Sequence, residues 1–308
     1  MSRIQDILSK AERDGTARRT RALHDDARPA ASTASASAVA TPPRADAPPR
    51  QPAAAWTPAA TAQAPAASPV DAGGVHEHFP SAVALDQHLV AALAPQSLAA
   101  EQYRSLRTRI KQAENGRAIR AIAVTSPNKG DGKSLTAANL SLTMAQEFQQ
   151  RVLLIDADLR RPSVHHLFGI SDTPGLADVL MGAADLNQAL VALPEYHVTL
   201  LPAGAPPSHP AELLGASSMR RILDTLRTRF DRILIDMPPV APLADVHILA
   251  PLVDGVLMIV RAGVTPKPAI EQALSGLDAS KVLGLVLNET GGAAASTYGY
   301  EGYGYIAG

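Results

Sequence analysis

The chain has 308 residues, 46% of them apolar, with 28 basic and 29 acidic side chains and no cysteine. That length buries at least one sizeable core and divides into one or two domains. A formal net charge of −1 gives no bulk electrostatic reason to expect a nucleic acid partner, and the missing cysteines exclude disulfide scaffolds, thiolate zinc sites, iron–sulfur clusters and thiol nucleophiles.

The first residues, MSRIQDILSKAERDG, lack the basic start, apolar middle and small-residue cleavage site of a secretory signal. No stretch of about 20 residues is apolar enough to span a bilayer, so the expected location is the cytoplasm. Within residues 1–22, Ile4, Ile7, Leu8 and Ala11 repeat at the spacing of one helical face, and Ser2 with Gln5 fits a capping box. This short amphipathic helix reads equally as a docking peptide or as a helix packed on its own domain. Residues 23–81 follow as a linker: 19 alanines and 9 prolines between Ala27 and Ala72 leave too few large apolar side chains to offset the entropy of ordering. The HEH triplet at His76, Glu77 and His78 is a poor chelate and is not read as a metal site.

From residue 82 to 290 the composition is that of a folded domain. Strands are predicted at 121–125, 152–156, 198–202, 233–236, 256–260 and 282–288, with helices at 133–149, 211–230 and 266–277. Near-continuous apolar strands alternating with helices predict an α/β fold, a doubly wound and mostly parallel sheet covered on both faces.

The first strand runs into SPNKGDGKS and then a helix, the context that a P-loop requires. Gly130 and Gly132 let backbone N–H groups turn toward an anion, with Asp131 and Leu135 contributing to the same cradle, and the helix adds its positive end. Lys133 supplies charge to the β- and γ-phosphates, and Ser134 a hydroxyl to Mg2+. Two further strands end in carboxylates, VLLIDADLRRP with Asp156 and Asp158, and ILIDMPPV with Asp236. Carboxyl ends of parallel strands share one edge of the sheet, where ligands of this architecture bind. Asp236 is expected to reach Mg2+ through water, with Asp156 or Asp158 a second partner; Asp156, supported by Asp158, is assigned the proton of an attacking hydroxyl. Arg160 and Arg161 are open to substrate phosphate or to a neighbouring surface, and His165 and His166 read as packing or surface residues.

Together these segments resemble the bacterial tyrosine autokinases of capsule and exopolysaccharide synthesis, P-loop NTPases of the deviant-Walker type, with SPNKGDGKS as Walker A, LLIDADLRRP as Walker A′ and ILIDMPPV as Walker B. The resemblance runs from about Glu101 to Gly308. It implies an ATP- and Mg2+-dependent protein-tyrosine kinase, a transmembrane co-polymerase or activator as partner, and recruitment to the inner face of the cell membrane. EQYRSLRTRI carries Glu101, Arg104 and Arg107 in the arrangement that such kinases use to form homo-oligomeric rings, and spacing of three puts them along one helical face. Residues 291–308 form a Gly/Tyr tail in which Tyr298, Tyr300, Tyr303 and Tyr305 are the expected autophosphorylation sites. An extended chain from Asn288 to Tyr298 spans at most about 36 Å, so a neighbour's active site and the subunit's own are both within range. Arg261 and Asn288, at the ends of the last two strands, are candidates for the adenine surroundings.

Two departures bear on this. Pro127 stands where a P-loop usually has its first glycine. Lys129 lies four residues before Lys133, whereas partitioning and cell-division ATPases place their signature lysine five before. The competing readings are a partitioning-type ATPase switch with incidental tyrosines and a nonenzymatic nucleotide-bound scaffold; labelled tail tyrosines separate the kinase from both.

Overall fold

The computed structural model describes residues 84–290, apart from 115, 148–149, 216 and 241–243. The expected N-terminal helix, the linker, the HEH triplet and the tyrosine tail therefore lie outside the described residues.

Seven strands form one sheet: β1 (Ala121–Thr125), β2 (Val152–Asp156), β3 (Val191–Leu193), β4 (Val198–Leu201), β5 (Arg232–Asp236), β6 (Gly255–Arg261) and β7 (Val282–Asn288). Their order is β3-β4-β2-β5-β1-β6-β7, and every pairing is parallel except the β3–β4 hairpin. The chain passes from β1 to β2 and out to the β3–β4 hairpin, returns to insert β5 between β2 and β1, and then adds β6 and β7 on the other side. β3 is absent from the sequence expectation. Three residues of Val-Ala-Leu carry no readable period, and only the turn at Pro194–Tyr196, with His197 at φ 55°, folds them back on β4.

The helices are α1 (Val90–Leu93), α2 (Leu98–Ala113), α3 (Lys133–Ala145), α4 (Val164–Phe168), α5 (Leu176–Leu180), α6 (Leu186–Ala189), α7 (Pro210–Gly215), α8 (Ser217–Arg229), α9 (Asp245–Leu249) and α10 (Lys267–Ser275). The helix expected at 211–230 is met by α7 and α8 on either side of residue 216, and that expected at 133–149 stops at Ala145.

Strand alternation sorts the core into two layers. Ala121, Ala123, Leu153, Ile155, Ile233, Ile235 and Met258 face one side, where Met219, Ile222, Leu223 and Leu226 of α8 cover them. Ile122, Val124, Leu154, Leu234 and Ile259 face the other, where α3 supplies Ala137, Ala138 and Leu140. Because α2 and α1 lie over α3 in turn, α3 is buried almost all round, and its polar side chains bond inward. Ser141 donates to the Ala138 carbonyl and Thr143 to that of Asn139. Asn139 ties the outer layer down: its Oδ1 accepts from Ala91 N at 3.0 Å, and its Nδ2 donates to the His88 and Leu135 carbonyls.

Candidate active site

β1, β2 and β5 are neighbours in the sheet, so their carboxyl ends open onto one place, in register. Asp156 lies opposite Asp236, and Val124 pairs with Asp236 one residue before β1 ends. The segments leaving these strands are stitched together. Met237 N donates to the Val124 carbonyl, Val240 N to that of Ser126, Ala157 N to that of Asp236, and Thr125 Oγ1 to that of Pro238. The edge is therefore a braced floor rather than a set of loose loops.

Ser126–Gly132 arches from β1 to α3 with Gly130 at φ 86° and Gly132 at φ 92°. Both angles lie where a Cβ is disfavoured. At Gly132 there is a second reason: a Cβ would come 2.0 Å from Nδ2 of Asn288. Gly132 caps α3 without a side-chain bond, leaving the first amides of the helix directed into the arch. Asp131, nearly inaccessible at 2% exposure, holds the arch from within: its Oδ2 accepts from Asn128 N at 2.9 Å and its Oδ1 from Thr265 Oγ1 at 2.8 Å.

Lys133 begins α3 and points back over the strand ends. Its Nζ lies 2.8 Å from Asp158 Oδ2, 3.5 Å from Asp236 Oδ1 and 3.1 Å from Ser134 Oγ. Burial pulls the ammonium down, but Asp236 and Asp158 outweigh it and hold Lys133 above the ordinary lysine value. Asp156 is wholly buried and accepts three backbone amides, from Asp158, Ser163 and Val164. Even so, burial and then the charge of Asp236 push its pKa up to about 7. Burial pushes Asp236 up as well, against Lys133 and Ser134, and its Oδ2 is buried without a hydrogen-bond partner. Three carboxylates facing one ammonium leave an excess of negative charge near neutrality. A divalent cation held at these carboxylates would relieve it, and Lys133 with the loop amides would offer positive charge to a phosphate.

Ser134 and Asp236, with its unpaired Oδ2, fit Mg2+, which takes one or two carboxylate contacts and keeps several waters. Among the described residues no cluster of three His, Cys, Asp or Glu side chains forms a metal cage, which Mg2+ does not need.

The remaining sequence-predicted residues fall around this centre. Arg261 and Asn288 end adjacent strands beside the arch; Asn288 Nδ2 donates to the Asp131 carbonyl, and Arg261 pairs with Glu289. Arg160 leaves the turn after Asp158 and donates through Nε to Asp245 Oδ2 at 3.1 Å. Asp245 is 1% exposed, and its Oδ1 has no partner. On α2, Glu101 pairs with Arg104 of the same helix, while Arg107 donates to the Thr143 carbonyl of α3 at 2.7 Å. His165 is buried, its ring tilted 43° against that of His166 with centroids 3.9 Å apart, and burial lowers its pKa. Sequence reasoning missed Thr265, Asp245, Asn139 and Tyr103. No motif marks them, since each reaches a partner 33 to 134 residues away; for Tyr103 these are the side chains of Thr136 and Asn139.

A Walker-type arch, a lysine and three strand-end carboxylates on one edge of a parallel sheet define a P-loop phosphoryl-transfer protein. The AAA domain family matches residues 119–275. The tyrosine-protein kinase YwqD of Bacillus subtilis is 38% identical over 220 residues, covering 71% of this chain and 92% of that one. The chain belongs to the bacterial tyrosine autokinases and is a protein-tyrosine kinase. The succinoglycan biosynthesis transport protein ExoP of Rhizobium meliloti is 33% identical over 233 residues, 70% of this chain but 29% of that longer one. The kinase domain of the Escherichia coli tyrosine kinase ETK superposes with a TM-score of 0.62 at 28% identity, over 65% of this chain and 79% of that domain.

Proposed function

We propose that the chain is an ATP- and Mg2+-dependent autokinase whose acceptors are its own tail tyrosines Tyr298, Tyr300, Tyr303 and Tyr305. The carrying observation is the convergence of Lys133, Asp156, Asp158 and Asp236 on one strand edge under the arch, together with four of the chain's six tyrosines in its last eleven residues. The amides of Gly130–Leu135 and Lys133 hold the β- and γ-phosphates. The tyrosyl oxygen attacks the γ-phosphorus, the bond to the β–γ bridging oxygen breaks, and ADP leaves. The tyrosyl proton passes to Asp156, whose raised pKa suits a general base near neutrality, with Asp158 supporting once phosphate draws Lys133 from it. Ser134, Asp236 through water, and Asp156 or Asp158 as a second carboxylate would hold Mg2+, which would supply charge neutralisation. Arg261 and the free Oδ1 of Asn288 face the base.

Glu101, Arg104 and Arg107 assemble the chain into a homo-oligomeric ring, in which Glu101 exchanges its internal partner for an arginine of the next subunit. The tail of one subunit then serves the site of the next. Four phosphates add about −6 to −8 charges, which separates the subunits. The chain works in the cytoplasm against a transmembrane polysaccharide co-polymerase that activates it, and the phosphorylation cycle controls exopolysaccharide or capsule polymerisation and export. The similarity to ExoP supports this setting, and no described helix is long and apolar enough to cross a membrane.

The test is incubation with labelled ATP and the activator's cytoplasmic segment. Label is expected on the tail, and is lost in Lys133→Met and in the variant with all four tail tyrosines changed to Phe. Free phosphate without tail label overturns the acceptor assignment. For the ring, Arg104→Ala with Arg107→Ala should yield a smaller species by mass; an unchanged mass removes the oligomer.

A further inference from the structure

The arch is held from outside by a residue that no nucleotide motif contains. Thr265 lies in the turn between β6 and α10, 134 residues from Asp131, and its hydroxyl is used twice: Oγ1 accepts from Arg261 N at 3.0 Å and donates to Asp131 Oδ1 at 2.8 Å. The same Asp131 carboxylate accepts Asn128 N through its other oxygen, and the Asp131 carbonyl accepts Asn288 Nδ2 at 3.1 Å. This buried carboxylate thus bonds once to the arch itself and once to Thr265. The backbone on either side is at positive φ, at Gly130 and Gly132. Two such glycines give the arch freedom that has to be removed before its amides can converge on phosphate. Asp131, pinned at three atoms, removes it.

We propose that Thr265 is a positioning residue for the nucleotide: its hydroxyl sets the rotamer of Asp131, and through it the directions of the amides between Gly130 and Lys133. The hydroxyl touches neither nucleotide nor metal; it acts on affinity by pre-ordering the arch. This inference rests on the reading of Ser126–Ser134 as the nucleotide loop. Because Thr265 stands on the β6 side of the arch while Asp156, Asp158 and Asp236 stand on β2 and β5, its effect belongs to binding rather than to the chemical step.

The experiment compares Thr265→Val, which keeps the shape and removes the hydroxyl, with Thr265→Ser, which restores it. A fluorescent ADP analogue with Mg2+ reports binding without requiring turnover. Val is expected to weaken nucleotide about tenfold, the scale of a hydrogen bond to a charged group, and Ser to stay within about threefold of wild type. The KM for ATP should follow the binding constant, and kcat should change by less than about twofold. Thr265→Ala serves the same comparison should Val not fold. In an Asp131→Ala background, Thr265→Val should have no further effect, because the contact through which it acts is already gone. Binding by Val equal to wild type, Ser as impaired as Val, or a second tenfold loss in the Asp131→Ala background overturns the inference. Failure of the wild-type chain to bind Mg2+-nucleotide at all refutes instead the nucleotide-loop reading on which it rests.

Discussion

Gly132→Ala tests whether the arch and the end of β7 are fitted to one another. The substitution meets two penalties. The left-handed backbone, with φ 92° and ψ 20°, costs a residue with a Cβ about 1–2 kcal/mol. The new Cβ also overlaps Asn288 Nδ2 at 2.0 Å and approaches its Cγ at 3.2 Å, so the amide must rotate away and abandon the Asp131 carbonyl, losing about 0.5–1.5 kcal/mol. Gly130→Ala is the internal control, because its φ is 86° but nothing lies within 4 Å of the added Cβ; it should meet only the backbone cost. Urea unfolding of nucleotide-free protein measures both, and Gly132→Ala should be less stable than Gly130→Ala by about 1 kcal/mol. The sharper measurement adds Asn288→Ala. Alone it costs about 1 kcal/mol, but in the Gly132→Ala background the bond is already broken and truncation relieves the overlap, so its cost should vanish or reverse. Strict additivity of Gly132→Ala and Asn288→Ala, or equal stability of the two glycine-to-alanine variants, would refute the reasoning.

The site carboxylates give the nucleotide-free enzyme a pH dependence. Asp156, at about 7 in the folded state against an ordinary value of 3.8, takes up a proton on folding between those limits, so its contribution to stability is full below about pH 4 and is lost as pH rises through 7. Nucleotide-free protein should have a lower denaturation midpoint at pH 8 than at pH 5.5, a difference that Asp156→Asn reduces. At the rim of the site, Arg160→Ala should destabilise more than Asp245→Asn: the first strands a fully buried carboxylate, at a cost of about 2 kcal/mol, while the second removes a buried charge already short of one partner. Thermal melts give the ranking. Asn139→Ala unties Ala91 N and the His88 carbonyl from α3, and should open residues 84–93 to protease at concentrations that leave wild type intact.

The sequence exposed the parts of this molecule whose chemistry is local. Strands β1, β2 and β5 are apolar runs that end in Thr or Asp, so their parallel arrangement and the shared edge of Asp156, Asp158 and Asp236 are legible from the residues alone. The arch was equally plain, because glycines at 130 and 132 followed by Lys and Ser have few other uses. What stayed hidden depends on distant partners. Thr265, Asp245 and Asn139 are ordinary residues until the fold sets them beside Asp131, Arg160 and Ala91. The fit of Asn288 against Gly132 was hidden for the same reason, and the three residues of β3 hold their strand only through β4.

β7 closes one side of the sheet, and among the described residues no strand pairs with its outer margin. Among the described residues, the outward amides and carbonyls of VLGLVLN therefore have no strand partner, and no charge or proline along the run discourages an intruder. A concentrated preparation of the excised catalytic domain invites side-by-side strand annealing between molecules at this margin. Gly284→Lys, at a position where an added Cβ meets open space, would blunt that tendency without touching the catalytic edge.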